Sequence, residues 1–332
     1  MGNPVERRLV AMVGGETLLA KEVRELLSED KPAPRVQLIS ASGDGSTLLS
    51  LEEDDTAVLI PLSAESLEGA SVAFLAGSQA SSRRALKLNP SGGPVLIDLA
   101  GALEEQPNAR LRAPSVEPAQ AGPDSPIHVI AHPAAIAIAK ILSRLPAAGA
   151  IRRSVVHVFE PASERGQRGI EELQQQTVAV LSFQKLKQDV FDAQAAFNML
   201  ARYGEEALEP LEAVEQRLER HLASLLAAWP GVPMPSLRLI QAPVFHGYSF
   251  SMWIEFESSA SAGTVSSALT AGSVDIHPDE PPTNVGIAGQ SGVSVGAIAV
   301  DNNNAHAVWL WAVADNLRIA AENAVAVAKE II

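Results

Sequence analysis

No cysteine occurs among the 332 residues. This excludes disulfides, thiolate metal sites and thiol nucleophiles, because each needs the sulfur atom itself. Aromatic residues are scarce at 4%, so a core must be built from Ala, Val, Leu and Ile, the usual filling of sheets sandwiched by helices. Positive charge is in deficit, with 25 Lys and Arg against 39 Asp and Glu and a formal net charge of −14. No run of Lys and Arg is clustered enough to neutralise a row of phosphates, so neither nucleic acid nor an anionic membrane is an expected partner. Long apolar runs are missing too. Residues 239–254 contain His, Gln and several hydroxyls and are too short to span a bilayer. The start of the chain has no apolar stretch of signal-peptide type, and Glu6 stands where a myristoylation signal needs Ser or Thr. A cytoplasmic location and no membrane partner are expected.

Hydrophobic residues make up 47% of the chain, enough for one large domain or two ordinary ones. Residues 8–13 form a short apolar run closed by Gly14-Gly15, and Leu18, Leu19, Val23, Leu26 and Leu27 then recur at helical spacing. Strand, tight turn and helix are predicted. Apolar runs at 36–39, 57–62, 72–75 and 95–97 repeat the pattern, which predicts a parallel sheet with crossover helices. Residues 104–126, rich in Pro, Glu and Asn, are predicted as loop. A strand at 129–131 then leads into an apolar helix over 133–145.

From Arg152 the texture changes. A strand is predicted at 154–159, a helix from near Ser163, and an amphipathic helix with Pro210 as its first residue and Leu211, Leu218, Leu222 and Leu225 on one face. Residues 248–256 alternate Tyr248, Phe250, Met252, Ile254 and Phe256 against Ser249, Ser251, Trp253 and Glu255, the pattern of a half-buried strand in a mixed or antiparallel sheet. Residues 314–332 predict a closing helix. The fold class expected is α/β, a Rossmann-like parallel-sheet domain joined to an α+β domain.

Several phrases carry a resemblance, in order, along nearly the whole chain. Val10-Ala11-Met12-Val13-Gly14-Gly15-Glu16-Thr17-Leu18-Leu19-Ala20 is similar to V-A-x-V-G-A-T-G-x-V-G, Val95-Leu96-Ile97-Asp98 to V-V-I-D-N-S-S, and Ile130-Ala131-His132-Pro133-Ala134-Ala135 to I-A-N-P-N-C. Residues 163–173 are similar to S-G-A-G-x-x-G-I-x-E-L, residues 243–249 to P-V-F-R-G-H-S, and Ala314-Asp315-Asn316-Leu317-Arg318 to A-D-N-L-R. Together they resemble the aspartate-semialdehyde dehydrogenase family. The resemblance implies a dinucleotide-binding domain of residues 1–132 and 312–332, a dimerisation and catalytic-type domain of residues 133–311, and a homodimer. It also implies a phosphorylating, NADP-dependent interconversion of an acyl phosphate and an aldehyde. Fold alone does not carry chemistry.

Position by position, that chemistry is missing. The attacking cysteine of the family matches Ala135, and a methyl group cannot form a thioester. The acid/base histidine matches Tyr248, whose unperturbed pKa near 10 suits it poorly to neutral proton transfer. The substrate-binding arginine matches Gln241, an amide in place of a charged fork. The site glutamine matches Glu160, an anion where an anionic substrate would lie. Phosphate-binding positions match Leu99, Ala100 and Glu104. NADP is implied only through Gly14, Thr17, Leu18 and Asn316, since two glycines of the turn match Thr17 and Ala20 and the arginine for the 2′-phosphate matches Gly43, beside Asp44.

The plain alternatives are a strand-to-helix turn at Gly14-Gly15 with no ligand, a solvated or ion-paired Glu160, and a core role for Tyr248. Asp301-Asn302-Asn303-Asn304 reads as a surface turn, because it lacks spaced carboxylates. The seven histidines show no H-x-x-x-H pair, so no metal is expected, and Gly-x-Ser-x-Gly is absent. Three functions stay open: an inactive relative kept as a scaffold, ligand-binding protein or partner; an enzyme that needs no thiol, with His132, Glu160, His246 and Tyr248 converging; and a heteromer with an active family member.

Overall fold

The computed structural model describes residues 8–41, 47–50, 56–118, 125–272 and 274–332. The expectations on Gly43 and Asp44 lie outside these. The chain divides into one unit of Met1–Ala131 with Ala320–Ile332 and another of His132–Ile319.

In the first unit β1 (Leu9–Val13), α1 (Leu18–Ser28) and β2 (Arg35–Ile39) form the predicted strand, turn, helix and strand. A ribbon of β3 (Thr47–Ser50) and β4 (Thr56–Leu59) follows, then α2 (Ala64–Leu67), β5 (Val72–Leu75), α3 (Gln79–Leu88), β6 (Val95–Asp98), β7 (Ala109–Arg112) and β8 (Ile127–Ile130). Six strands make a parallel sheet in the order β2-β1-β5-β6-β8-β7. Its central strands are buried on both faces, so β5 reads Val-Ala-Phe-Leu without alternation.

Two sequence readings need correction here. The run at 57–62 meets the parallel sheet only at Ile60, through a parallel bridge to Ile39 of β2; β4 itself pairs antiparallel with β3. Nor is 104–126 all loop, since it contains β7, parallel to β8. Its four residues alternate Arg with Ala or Leu, too short and too charged to signal a strand without the neighbour that supplies its hydrogen bonds. Arg112, itself 5% exposed, pairs with Glu117 at 2.9 Å and Glu330 at 2.8 Å, while Asn323 accepts from the Ser115 N–H. These bonds hold the end of the chain within the first unit.

The second unit contains α4 (Pro133–Leu142), β9 (Ile151–Glu160), α5 (Gly166–Leu181), α6 (Leu211–Leu226), β10 (Ser236–Gln241), β11 (Tyr248–Phe256), α7 (Ala262–Ala271), β12 (Asp275–His277), α8 (Asn284–Ile287), β13 (Ser294–Asp301) and β14 (Asn304–Ala314). Its six-stranded sheet, β10-β9-β11-β14-β13-β12, is mixed: β9 pairs parallel with β10 and antiparallel with β11. Because β11 lies inside this sheet, Ser249 and Glu255 are buried along with its apolar set, and the strand is more enclosed than its alternation predicts. Pro210 is the N-cap of α6, so the helix starts one residue later than expected, and the closing helix, α9 (Asn316–Ile331), begins only after Ala314 has ended β14. The turn at Asp301 is as read: Asp301 accepts from the Asn303 N–H, and β13 and β14 meet across it. Among the described residues no helix is long and apolar enough to cross a membrane.

Candidate functional site

Position 135 lies at the start of α4. Pro133 suits the first turn because its missing N–H would be unpaired there in any case. The cap is His132, whose Nδ1 accepts from the Ala134 N–H at 3.3 Å. An Nδ1 that accepts puts the ring proton on Nε2, and that atom is enclosed without a hydrogen-bond partner. Burial, then Arg217, holds the His132 pKa well below its ordinary value, so the ring is neutral. Behind it α4 is apolar on nearly every side, and Ala135 is fully buried as a core residue.

Glu160 closes β9 and is 0% exposed. Register places it opposite Gln241, the last residue of β10. Arg165 donates to its carboxylate at 2.7 Å and Tyr248 at 3.2 Å, and Tyr203, which shares its one hydroxyl proton with Gln241, lies at 3.3 Å. Arg165 also reaches Glu209 at 3.4 Å. Gln241 is used up internally: its Oε1 accepts from the Tyr203 hydroxyl at 2.5 Å, and its amide donates to the carbonyls of Glu160 at 3.0 Å and Ala242 at 2.8 Å. Tyr248, fully buried, stacks on Phe250 with ring centroids 5.7 Å apart and lies 6.0 Å from the His132 ring.

Charge in this cluster is balanced from within. Burial pushes the Glu160 pKa up while Arg165 opposes the shift. Burial works against the Arg165 charge, but Glu160 and the other nearby acids outweigh it and hold its pKa above the usual value. Both tyrosines are pushed up, chiefly by burial, so neither hydroxyl ionises at neutral pH. Asn316 belongs to the same set of enclosed bonds. Its Oδ1 accepts from the Ser163 hydroxyl at 3.1 Å and the Gly247 N–H at 3.2 Å, and its Nδ2 donates to Glu164 at 2.8 Å.

Glu164 is the group in this cluster whose protonation changes near neutral pH. Burial and then Glu160 raise its pKa from 4.5 to about 7. A carboxyl with a higher pKa folded than unfolded binds more protons in the folded state, so its stabilising contribution is present below pH 4.5 and lost as pH rises through 7. Each pKa unit corresponds to about 1.4 kcal/mol, and partial solvent access lowers the sum to roughly 1–2 kcal/mol. Thermal unfolding followed by circular dichroism is expected to give a lower melting temperature at pH 8 than at pH 5.5. Glu164→Gln should flatten that slope, and an unchanged slope would remove Glu164 from its cause.

At the other end of the chain the turn after β1 is closed on itself. The N–H groups of Gly14 and Gly15 both donate to the Ile39 carbonyl, at 2.8 and 3.1 Å. Gly14 is required by packing: its φ is +83°, and a Cβ there would lie 2.5 Å from the Gly77 backbone. Thr17 caps α1 by accepting from the Ala20 N–H, and its hydroxyl donates to the Ala76 carbonyl. Leu18, half-buried, opens the helix.

Residues 142–319 match the family model described as the semialdehyde dehydrogenase dimerisation domain. The chain belongs to the semialdehyde dehydrogenase family. It is 30% identical to a USG-1 protein homolog of Azotobacter vinelandii, across 97% of each chain, and 26% identical to an aspartate-semialdehyde dehydrogenase of Rickettsia bellii, again across 97% of each. A probable aspartate-semialdehyde dehydrogenase of Pseudomonas aeruginosa has the same fold, with a TM-score of 0.83 over 98% of both chains at 27% identity.

Within this semialdehyde dehydrogenase framework the structure brings His132, Ala135, Glu160, Gln241 and Tyr248 into one region of the second unit. His246 contributes its carbonyl, which accepts from Asn284, and is half-buried. Gly14, Thr17 and Leu18 belong to the first unit and Asn316 to the second. The two glycines of the turn cannot offer their N–H groups to a pyrophosphate: both are taken by Ile39, and the Glu16 carboxylate is anchored beside them by the Ala41 N–H at 3.0 Å. Sequence reasoning missed Glu164, Arg165 and Tyr203. The first two had a signal, since charged residues stand where the phrase S-G-A-G of semialdehyde dehydrogenases has small ones. Tyr203 had none, because only the loop after α5 carries its hydroxyl to Gln241.

Proposed function

We propose that this chain is a semialdehyde dehydrogenase homologue that has abandoned thioester chemistry and serves as a homodimeric scaffold, ligand-binding protein or partner subunit. The observation that carries the reading is the enclosed network at the family site. Ala135 is core, and the amide of Gln241 and the guanidinium of Arg165 are spent on Tyr203, Glu160 and Glu209 instead of being offered to a substrate carboxylate. A carboxylate that must first break these bonds loses the gain a free arginine would provide. Purified protein given aspartate semialdehyde, phosphate and NADP is expected to show no turnover above the blank, and measurable turnover refutes the proposal. Sedimentation should give a dimer, in keeping with the dimerisation-domain match; co-purification with an active relative would replace self-pairing by mixed pairing.

One observation favours a second reading, a thiol-free enzyme. Tyr248 touches Glu160, and its ring neighbours His132, whose Nε2 proton has no acceptor. NADPH or NADH would then raise the melting temperature, since a ligand that binds only the native state must stabilise it. Absence of any shift leaves the first reading ahead.

A further inference from the structure

A cleft of about 760 Å³ lies in the first unit, between the outward face of α1, strand β2 and residues Ala57 and Val58 of β4. Its origin is topological. β2 is the edge of the parallel sheet, and the β3–β4 ribbon bridges it at Ile39–Ile60 without joining the sheet. The space a further parallel strand would fill stays open. Leu18, Val36, Leu38 and Val58 give it apolar walls, and Val58 is 54% exposed. A volume of this size suits a small organic ligand.

The polar lining is unlike the rest of this acidic protein. Among the described residues of the lining, Lys21, Arg24 and Arg35 outnumber Glu16 and Glu25, and Glu16 is committed to the Ala41 N–H. The Arg24 guanidinium is half-buried, with its Nε enclosed and without a hydrogen-bond partner. Burial depresses its pKa, and no carboxylate offsets the effect. An enclosed Nε without an acceptor opposes folding, so packing alone does not favour an arginine here. An anion entering the cleft would meet this guanidinium, which lines it and has no carboxylate partner among the described residues.

From this geometry we infer that the cleft binds a small carboxylic acid with an apolar body, its carboxylate on Arg24 with Lys21 and Arg35 nearby and its hydrocarbon against Leu18, Leu38 and Val58. Arg24 offers the planar fork a carboxylate matches, and the apolar walls set the requirement for a hydrophobic body.

The test titrates the full chain with hexanoate and 3-phenylpropionate, their uncharged amides, acetate and inorganic phosphate, read by isothermal calorimetry. Both apolar carboxylates are expected to bind at least tenfold more tightly than the amides, acetate or phosphate. Arg24→Gln should weaken them at least tenfold with the circular dichroism spectrum unchanged. Val58→Glu, at an exposed position, should do the same if the arginine variant fails to fold. No binding by either carboxylate overturns the inference, as does equal binding by the amides or by both variants. Binding of NADPH without binding of the carboxylates also overturns it, and would assign the cleft to a nucleotide.

Discussion

Arg165→Met is expected to lower the unfolding free energy by about 3–5 kcal/mol, the usual cost of stranding one partner of a buried ion pair. The guanidinium is nearly enclosed, with 7% of its side chain exposed, and it neutralises Glu160, which has no solvent access at all. Glu160 would be left with the hydroxyls of Tyr203 and Tyr248, which hydrogen-bond the carboxylate without cancelling its charge. Its pKa would rise further and the unfolding midpoint in urea would fall. The double variant Glu160→Gln, Arg165→Met should recover most of the loss, because replacing a whole buried pair by uncharged groups of similar size is often close to neutral. Urea denaturation of the single and double variants measures both numbers. A loss below about 1 kcal/mol for Arg165→Met would mean that water reaches the pair, and the enclosed-network account of the family site would fail with it.

Restoring sulfur should not restore chemistry. Ala135→Cys places a thiol at the position that the sequence resemblance matches to the family's cysteine, and the start of α4 would favour its thiolate. Two features oppose that benefit: the position is fully buried among apolar neighbours, and by the sequence resemblance Tyr248 and Gln241 match the acid/base histidine and the substrate-binding arginine. Burial must first be undone by local opening. An opening that costs about 3 kcal/mol slows modification by iodoacetamide roughly 100-fold relative to the unfolded chain. Turnover with aspartate semialdehyde, phosphate and NADP is expected to stay at the blank. Labelling as fast as in urea, or turnover from this single substitution, would show an accessible site with its machinery intact.

Much of the architecture is legible in the sequence alone. The alternation through β11, the apolar run of β1 closed by Gly14-Gly15 and the leucine face of α6 each follow from a periodicity that local backbone geometry imposes. The elements that escaped were those whose identity depends on a distant neighbour. β7 exists because β8 lies alongside it, and β4 leaves the parallel sheet because β3 pairs with it.

The candidate site divides the same way. That no thioester can form was decided by composition alone, since a chain without sulfur nucleophiles cannot make one in any fold. The sequence resemblance also supplied the reading that Ala135, Glu160, Gln241 and Tyr248 match the positions of the family's reacting groups, because identity at a matched position needs no geometry. What fills the site was decided only by tertiary structure. Tyr203 lies 38 positions from Gln241 and 43 from Glu160, yet its hydroxyl bridges them, and Asn316 binds Ser163 across 153 positions. No local pattern encodes such contacts: they arise when separate strands and loops are pressed together and most buried polar atoms find a partner. The same holds for the Arg24 cleft, an opening created by where the β3–β4 ribbon meets β2.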